Sequence, residues 1–221
     1  GSVVNGFESI AGQINVELRK PEDSDSFYLN LYGNGGGRME ANINAAHSIN
    51  EKWHTALLLH GKYNPIKMDR NNDGFIDQPV GTNAIFLNRW KYQGEDGLES
   101  QIGIKGTFIQ NKSGQLDFDH DRSFTDQSPW GSYTNINRIE GWLKIGKVFP
   151  SKPFSSLGFQ LSGSAHVQDA LFGQRVYDAE QQSLYSNLIY QGIIGNTDHQ
   201  FRTGASFQAD NYNELLDTLT F

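Results

Sequence analysis

The sequence predicts an all-β fold, an antiparallel sheet forming the wall of a transmembrane β-barrel, and three observations lead there. Apolar and polar residues alternate with period two almost from end to end, so each segment has one apolar face. The segments run to about 9 to 13 residues, against a globular mode of roughly 5 to 6, and a tilted membrane-spanning strand needs about 9 to 11. The connections alternate between short turns and long loops, as on the two rims of an outer-membrane barrel. Composition agrees: 24 glycines and 12% aromatics stand beside only 37% hydrophobic residues, which suits strands that hide one face.

The elements follow in order. Residues 5–18, NGFESIAGQINVEL, begin with glycine and polar residues and turn into strict alternation, with Ile14, Val16 and Leu18 opposite Gln13, Asn15, Glu17 and Arg19. Phe27, Leu29 and Leu31 interleave with Tyr28, Asn30 and Tyr32, and Met39, Ala41, Ile43 and Ala45 with Glu40, Asn42 and Asn44. Trp53, Leu57, Leu59 and Tyr63 oppose His54, His60 and Lys62. Segment 82–92 reads as a strand without a clear apolar face. Leu98, Ile102, Ile104 and Phe108 face away from Glu99, Gln101 and Lys105; Ile139, Leu143 and Ile145 alternate with Arg138, Glu140 and Lys144, although Trp142 falls on the charged side. Leu157, Phe159, Leu161, Ala165 and Val167 oppose Gln160, Ser162, Ser164 and His166. Segment 183–195 is again ambiguous, and Phe201, Thr203, Ala205 and Phe207 close the series, for about nine strands in all.

Short links are expected at 49–51, 94–97, 150–153 and 196–198, and long loops at 64–81, 111–134 and 170–182, with Asn34 to Gly37 a short turn on the long-loop side. Trp53, Tyr63, Trp90, Tyr92, Phe149 and Tyr190 sit near strand ends, where an interfacial aromatic girdle belongs.

Composition also excludes. A net charge of −7 without a basic stripe argues against a nucleic-acid partner. With no cysteine there is no disulfide framework, thiol nucleophile or thiolate metal site. The longest aliphatic run, Ala56 to Leu59, falls far short of the roughly 20 residues a membrane helix requires. Residues 1 to 19 lack a basic start followed by an apolar core, so an exported protein would be represented by a mature or internal piece.

The sharpest chemical motif is DRNNDGFID, residues 69–77. Asp69, Asn71, Asp73 and Asp77 supply oxygens at positions 1, 3, 5 and 9, Gly74 allows a sharp turn at position 6, and the Phe75 carbonyl offers a backbone ligand. A hard cation wants six or more oxygens, so calcium is the candidate cofactor. Position 12 is Val80 rather than a bidentate glutamate, which excludes an EF-hand and leaves a solvated Asp/Asn/Gly turn as the alternative. Asp117, Asp119, Asp121 and Asp126, with His120, form a second acidic cluster that reads first as a solvated loop and second as a cation or substrate site. No nucleophile elbow, phosphate loop or catalytic carboxylate pair can be named, and the expectation is of no enzyme.

With these residues in hand, the opening segment resembles the end of the plug domain in TonB-dependent outer-membrane receptors. Gly12, Gln13, Ile14 and Asn15 match that family's G-x-I-N, and NGFESI looks like the variant of its cobalamin-receptor-like group. The segments NRW (88–90), EGWLKIGKVFP (140–150) and NLIYQGIIG (187–195) are similar to barrel strands of the same group. The resemblance implies a plugged barrel of about 22 strands, of which this chain holds about nine. It implies residues 1–22 as the end of the plug and the plug–barrel junction, and residues 23–221 as the N-terminal part of the barrel. It places the acidic loop 64–81 outside the cell, where cobalamin receptors of the family bind calcium. It implies uptake of a scarce nutrient across the cell outer membrane, cobalamin or another corrinoid first and a ferric siderophore second. The implied partners are the TonB complex, the small-molecule or metal-chelate substrate, membrane lipid and a surface-exposed lipoprotein. Two rivals stand beside this reading: a complete small outer-membrane barrel with enzymatic or adhesive loops, and a soluble, calcium-dependent glycan-binding β-sandwich.

Overall fold

The computed structural model describes residues 18–121, 125 and 127–218; the junction residues Gly12, Gln13, Ile14 and Asn15, and Asp126, lie outside them. Nine strands follow one another: β1 (Phe27–Gly33), β2 (Met39–Ser48), β3 (Trp53–Asn64), β4 (Val80–Gln93), β5 (Leu98–Gly114), β6 (Gly131–Phe149), β7 (Lys152–Phe172), β8 (Arg175–Ile194) and β9 (Asn196–Thr218). Each pairs antiparallel with its sequence neighbour in one nine-stranded sheet, with β1 and β9 at its edges, so the sheet is all-β and is not closed. One 3-10 turn, Pro21–Asp23, precedes β1, and the boundary expected between residues 22 and 23 falls inside it.

Registration places the alternating residues in rows. Phe27, Ala45, Leu57 and Asn88 follow one another across β1 to β4, and Ile145, Phe159, Leu188 and Ala205 across β6 to β9. One face is therefore continuously apolar. On β7 its band runs from Leu157 to Val167; at ~3.3 Å per residue and a tilt of about 45°, such a span stands roughly 25 Å tall. Aromatic pairs flank the band: Trp53 with Tyr92 at 5.0 Å and Tyr190 with Phe201 at 5.9 Å on one side, and Phe86 with Phe108 at 6.5 Å toward the other.

Among the described residues nothing covers the apolar face, whereas Ala56, Leu87 and Lys91 on the polar face are buried. Among the described residues only Ala56, Ile76, Leu87, Phe118, Ala170 and Leu171 form a buried apolar set, while Ile102, Ile104, Ile139 and Phe207 stand exposed along the band. A soluble sandwich of this strand content would bury one such face against a second sheet. The two ambiguous segments resolve once paired. In β4, Phe86, Trp90 and Tyr92 join the apolar face while Ile85 and Leu87 share the other with Arg89 and Lys91, which blurs the alternation. Asn88, an amide on the apolar face, is satisfied there: it donates to the Ala56 carbonyl at 3.2 Å and accepts the Trp90 indole N–H at 2.8 Å.

Several strands outrun their expected lengths. The loop expected at 170–182 is strand except for the Gly173-Gln174 turn, in which Gly173 has φ 61°. The loop expected at 111–134 contracts to 115–130, the link at 150–153 to 150–151, and that at 196–198 to Gly195. Asn213 to Thr218, whose sequence does not alternate like a closing strand, is paired with β8 to Arg175. In β7 to β9 the cause is that polar pairs such as Asp169–Asp178 and Glu180–Asn213 interrupt the apolar face beyond the band. Backbone hydrogen bonding continues there with no hydrophobic period to reveal it.

Loops 34–38, 65–79, 115–130 and the 173–174 turn thus share one rim, and 49–52, 94–97, 150–151 and Gly195 the other. Two turns of the second rim are pinned by ion pairs. Lys52 lies 2.8 Å from Glu95 and, through that hydrogen bond, holds its carboxyl below the usual range; Lys147 does the same for Asp96.

Candidate functional site

Loop 65–79 is folded on its own side chains. Asn72 at φ 58° and Gly74 at φ 85° reverse the chain, a conformation that Asn and Gly tolerate best. Asp69 accepts the backbone N–H of Asp73 at 3.2 Å and of Gly74 at 2.9 Å. Asp73 accepts the Phe75 N–H and the Asn71 amide, each at 2.8 Å, and Asp77 accepts the Arg70 N–H at 3.2 Å. The five candidates Asp69, Asn71, Asp73, Phe75 and Asp77 therefore lie in one tight turn. Their carboxylates are turned on the loop's own donors, and each retains lone pairs beyond those bonds. The donors are of the kind a hard cation takes.

The loop is also stapled to its neighbour. Phe75 bridges Gln115, the Ile76 N–H donates to the Gly114 carbonyl at 2.8 Å, the Leu116 N–H to the Gly74 carbonyl at 3.0 Å, and Lys67 reaches the Leu116 carbonyl. Gln115 in turn donates its N–H to the Trp130 carbonyl at 2.9 Å, and Gly173 to Gly131 at 2.7 Å. The two acidic loops thus extend the sheet as one hydrogen-bonded platform, over which Phe118 packs, buried, against Gly131.

In the second loop, Asp119, His120 and Asp121 are the described titratable residues whose ligand atoms lie within 4.8 Å of one another; the carboxylates of 69–77 are outside that group, and Asp117 stands exposed. Lys112 lies 3.6 Å from Asp119, and the His120 ring lies 3.4 Å from Asp121 while stacking on Tyr133 at 3.7 Å.

The polar face carries charges that sequence reasoning placed on a face but could not pair. Lys105, Glu140, Ser164, Ser183 and Asp210 stand side by side across β5 to β9. Glu140 accepts from Lys105 at 3.0 Å and from Arg138 at 3.1 Å, and Arg138 also donates to Ser164 at 3.1 Å. Beside this row lies a cavity of about 750 Å³ that Leu18, Trp142, Gln181 and Tyr212 help to line. His54 and His60, six residues apart, bond separately, to Ser48 and Asn42 at 2.8 and 2.7 Å.

Near the other rim the N-terminal segment meets the same face. Lys91, only 5% exposed, holds Glu22 of the 3-10 turn, and the Arg89 guanidinium donates to the Leu18 carbonyl at 3.5 Å. Burial pushes the Glu22 carboxyl up, but the hydrogen bond and charge of Lys91 outweigh it and hold the group below its ordinary 4.5. The signal for this pair was weak: Lys91 alternates onto the polar face, but nothing local names a partner 69 residues away.

Compared with known protein families, curated proteins and solved structures, the chain matches none.

Proposed function

We propose that this sheet is part of the wall of a plugged barrel of about 22 strands in the cell outer membrane, serving TonB-dependent uptake of a scarce nutrient. The observation that carries the reading is the contrast between the sheet's two faces: an exposed apolar band edged by aromatics on one and a charged, hydrogen-bonded face opposite. Lipid would meet the first face, and a wet lumen the second. The segment before β1 lies against the polar face, as the end of a plug entering the lumen would. The platform of loops 65–79 and 115–130 would then lie outside the cell and meet substrate, with calcium held by Asp69, Asn71, Asp73, Phe75 and Asp77.

On this reading the substrate is a corrinoid, with a ferric siderophore second; the TonB complex supplies the pull, and a surface-exposed lipoprotein captures substrate for the loops. No chemical step is assigned to the chain. The test is equilibrium binding of radiolabelled cobalamin to outer membranes carrying the parent protein. Saturable binding that falls on chelation of calcium supports the reading in full. Absent cobalamin binding with retained binding of a ferric siderophore keeps the transporter and changes its cargo, and binding of neither overturns it.

A further inference from the structure

The strand that follows the N-terminal segment is the one least able to resist a pull. β1 has seven residues, all exposed, and among the described residues it pairs with β2 alone. Its pairing begins at Phe27, opposite Ala45. Tension arriving from the N-terminus would load that single ladder from its Phe27 end, with no second partner strand to share it.

The chain just upstream is built differently. Pro21 is buried and opens the 3-10 turn; the Asp23 and Ser24 N–H groups close it on the Lys20 and Pro21 carbonyls at 3.1 and 3.3 Å. Glu22 of that turn reaches across to Lys91, whose side chain is 6% exposed and which also donates to Gln93 at 3.3 Å. Arg89, two residues along β4 and on the same face, holds the Leu18 carbonyl, and Ser26 accepts the Ala46 N–H at 3.1 Å. The contacts run from this turn into β2 and β4, two strands each paired on both sides. The Glu22–Lys91 pair is far less exposed than the surface ion pairs at the turns, so it holds more than an exposed pair would.

We infer that Pro21–Asp23 is a mechanical stop: tension on the N-terminal segment ends at the Glu22–Lys91 pair, so the chain up to Lys20 can be displaced while β1 stays in the sheet. The inference rests on the transport reading for the origin of the pull, but the stop itself depends only on the local geometry. A direct consequence is that displacement of the chain ahead of Pro21 ends at this turn rather than passing into β1.

The test is single-molecule pulling on the membrane-embedded chain through a handle on Gly1→Cys, the sole thiol in a protein without cysteine. Residues 1–20 extend to about 70 Å at most. A force peak at that contour length is expected, before any peak from β1. It should be lost or at least halved in Lys91→Met and in Glu22→Gln, and return when Glu22→Lys is combined with Lys91→Glu. No peak at that length, or an unchanged peak in a folded Glu22→Gln variant, overturns the stop. A chain that shows the peak but stays dispersed without detergent keeps the stop and sinks the transport reading, so the two failures are separable.

Discussion

The indole of Trp142 lies across Gly103, its partner in the β5–β6 ladder, so closely that a Cβ on Gly103 would sit 2.2 Å from the ring. The one aromatic that breaks the alternation of its strand is therefore housed by a neighbour without a side chain. Gly103→Ala should force the indole out of place and cost roughly 1 to 3 kcal/mol, as overpacking does. Urea unfolding followed by tryptophan fluorescence checks this; Gly146→Ala, where a Cβ meets nothing within 4 Å, is the control.

Glu140 sits between two cations, Lys105 and Arg138. Removing it leaves both unpaired on a half-buried face, whereas removing Ser164 takes away one neutral acceptor. Glu140→Ala should therefore destabilise by about 1 to 2 kcal/mol, discounted for solvent, and Ser164→Ala by about 0.5. Equality of the two in denaturant titrations would contradict this pairing.

Acid should act on the N-terminal turn through Glu22. Its carboxyl is held below 4.5 in the folded protein, so the pair stabilises the turn at all pH values above the unfolded carboxylate value and loses that contribution as pH falls through the lower folded one. The groups facing it are Lys91 and Arg89 from β4 and His54 from β3. Hydrogen exchange at the Asp23 and Ser24 amides should be flat, after correction for intrinsic rates, from pH 8 to about 5 and accelerate only below about 4.

Calcium at loop 69–77 makes a separate prediction. Calorimetric titration should find one site of about 10⁻⁴ to 10⁻³ M, the range of extracellular modules. Asp73→Ala should abolish it, and Asp119→Ala should leave it intact, since Asp119 lies in the other acidic loop. Because Asp69 also caps two backbone N–H groups, Asp69→Ala should in addition loosen the turn without calcium.

The order and type of the nine strands were legible because most cross the apolar band in period two, whereas segments 82–92 and 183–195 read as strands without a resolved face. Their outer ends were not, since in segments such as Asp169–Phe172 and Arg175–Gln182 polar residues such as Asp169, Asp178 and Glu180 interrupt the apolar face while backbone pairing continues. Loop 69–77 was legible as a tight turn from Asp73-Gly74, but not its docking on Gly114 to Leu116, because pairing between distant segments leaves no local pattern. For the same reason Arg138, Glu140 and Lys105 could be put on one face and not into one cluster.

The central claim is that the two faces of the sheet meet different solvents, and β7 tests it directly. Single cysteines at Leu161 and Ala165 sample the apolar face, and at Ser162 and Ser164 the polar one. In protein held in native outer membranes, a charged thiol reagent should modify Ser162→Cys and Ser164→Cys and spare Leu161→Cys and Ala165→Cys until detergent is added. Rapid modification of Leu161→Cys and Ala165→Cys in detergent-free protein would contradict a lipid-facing band and, with it, the transport reading.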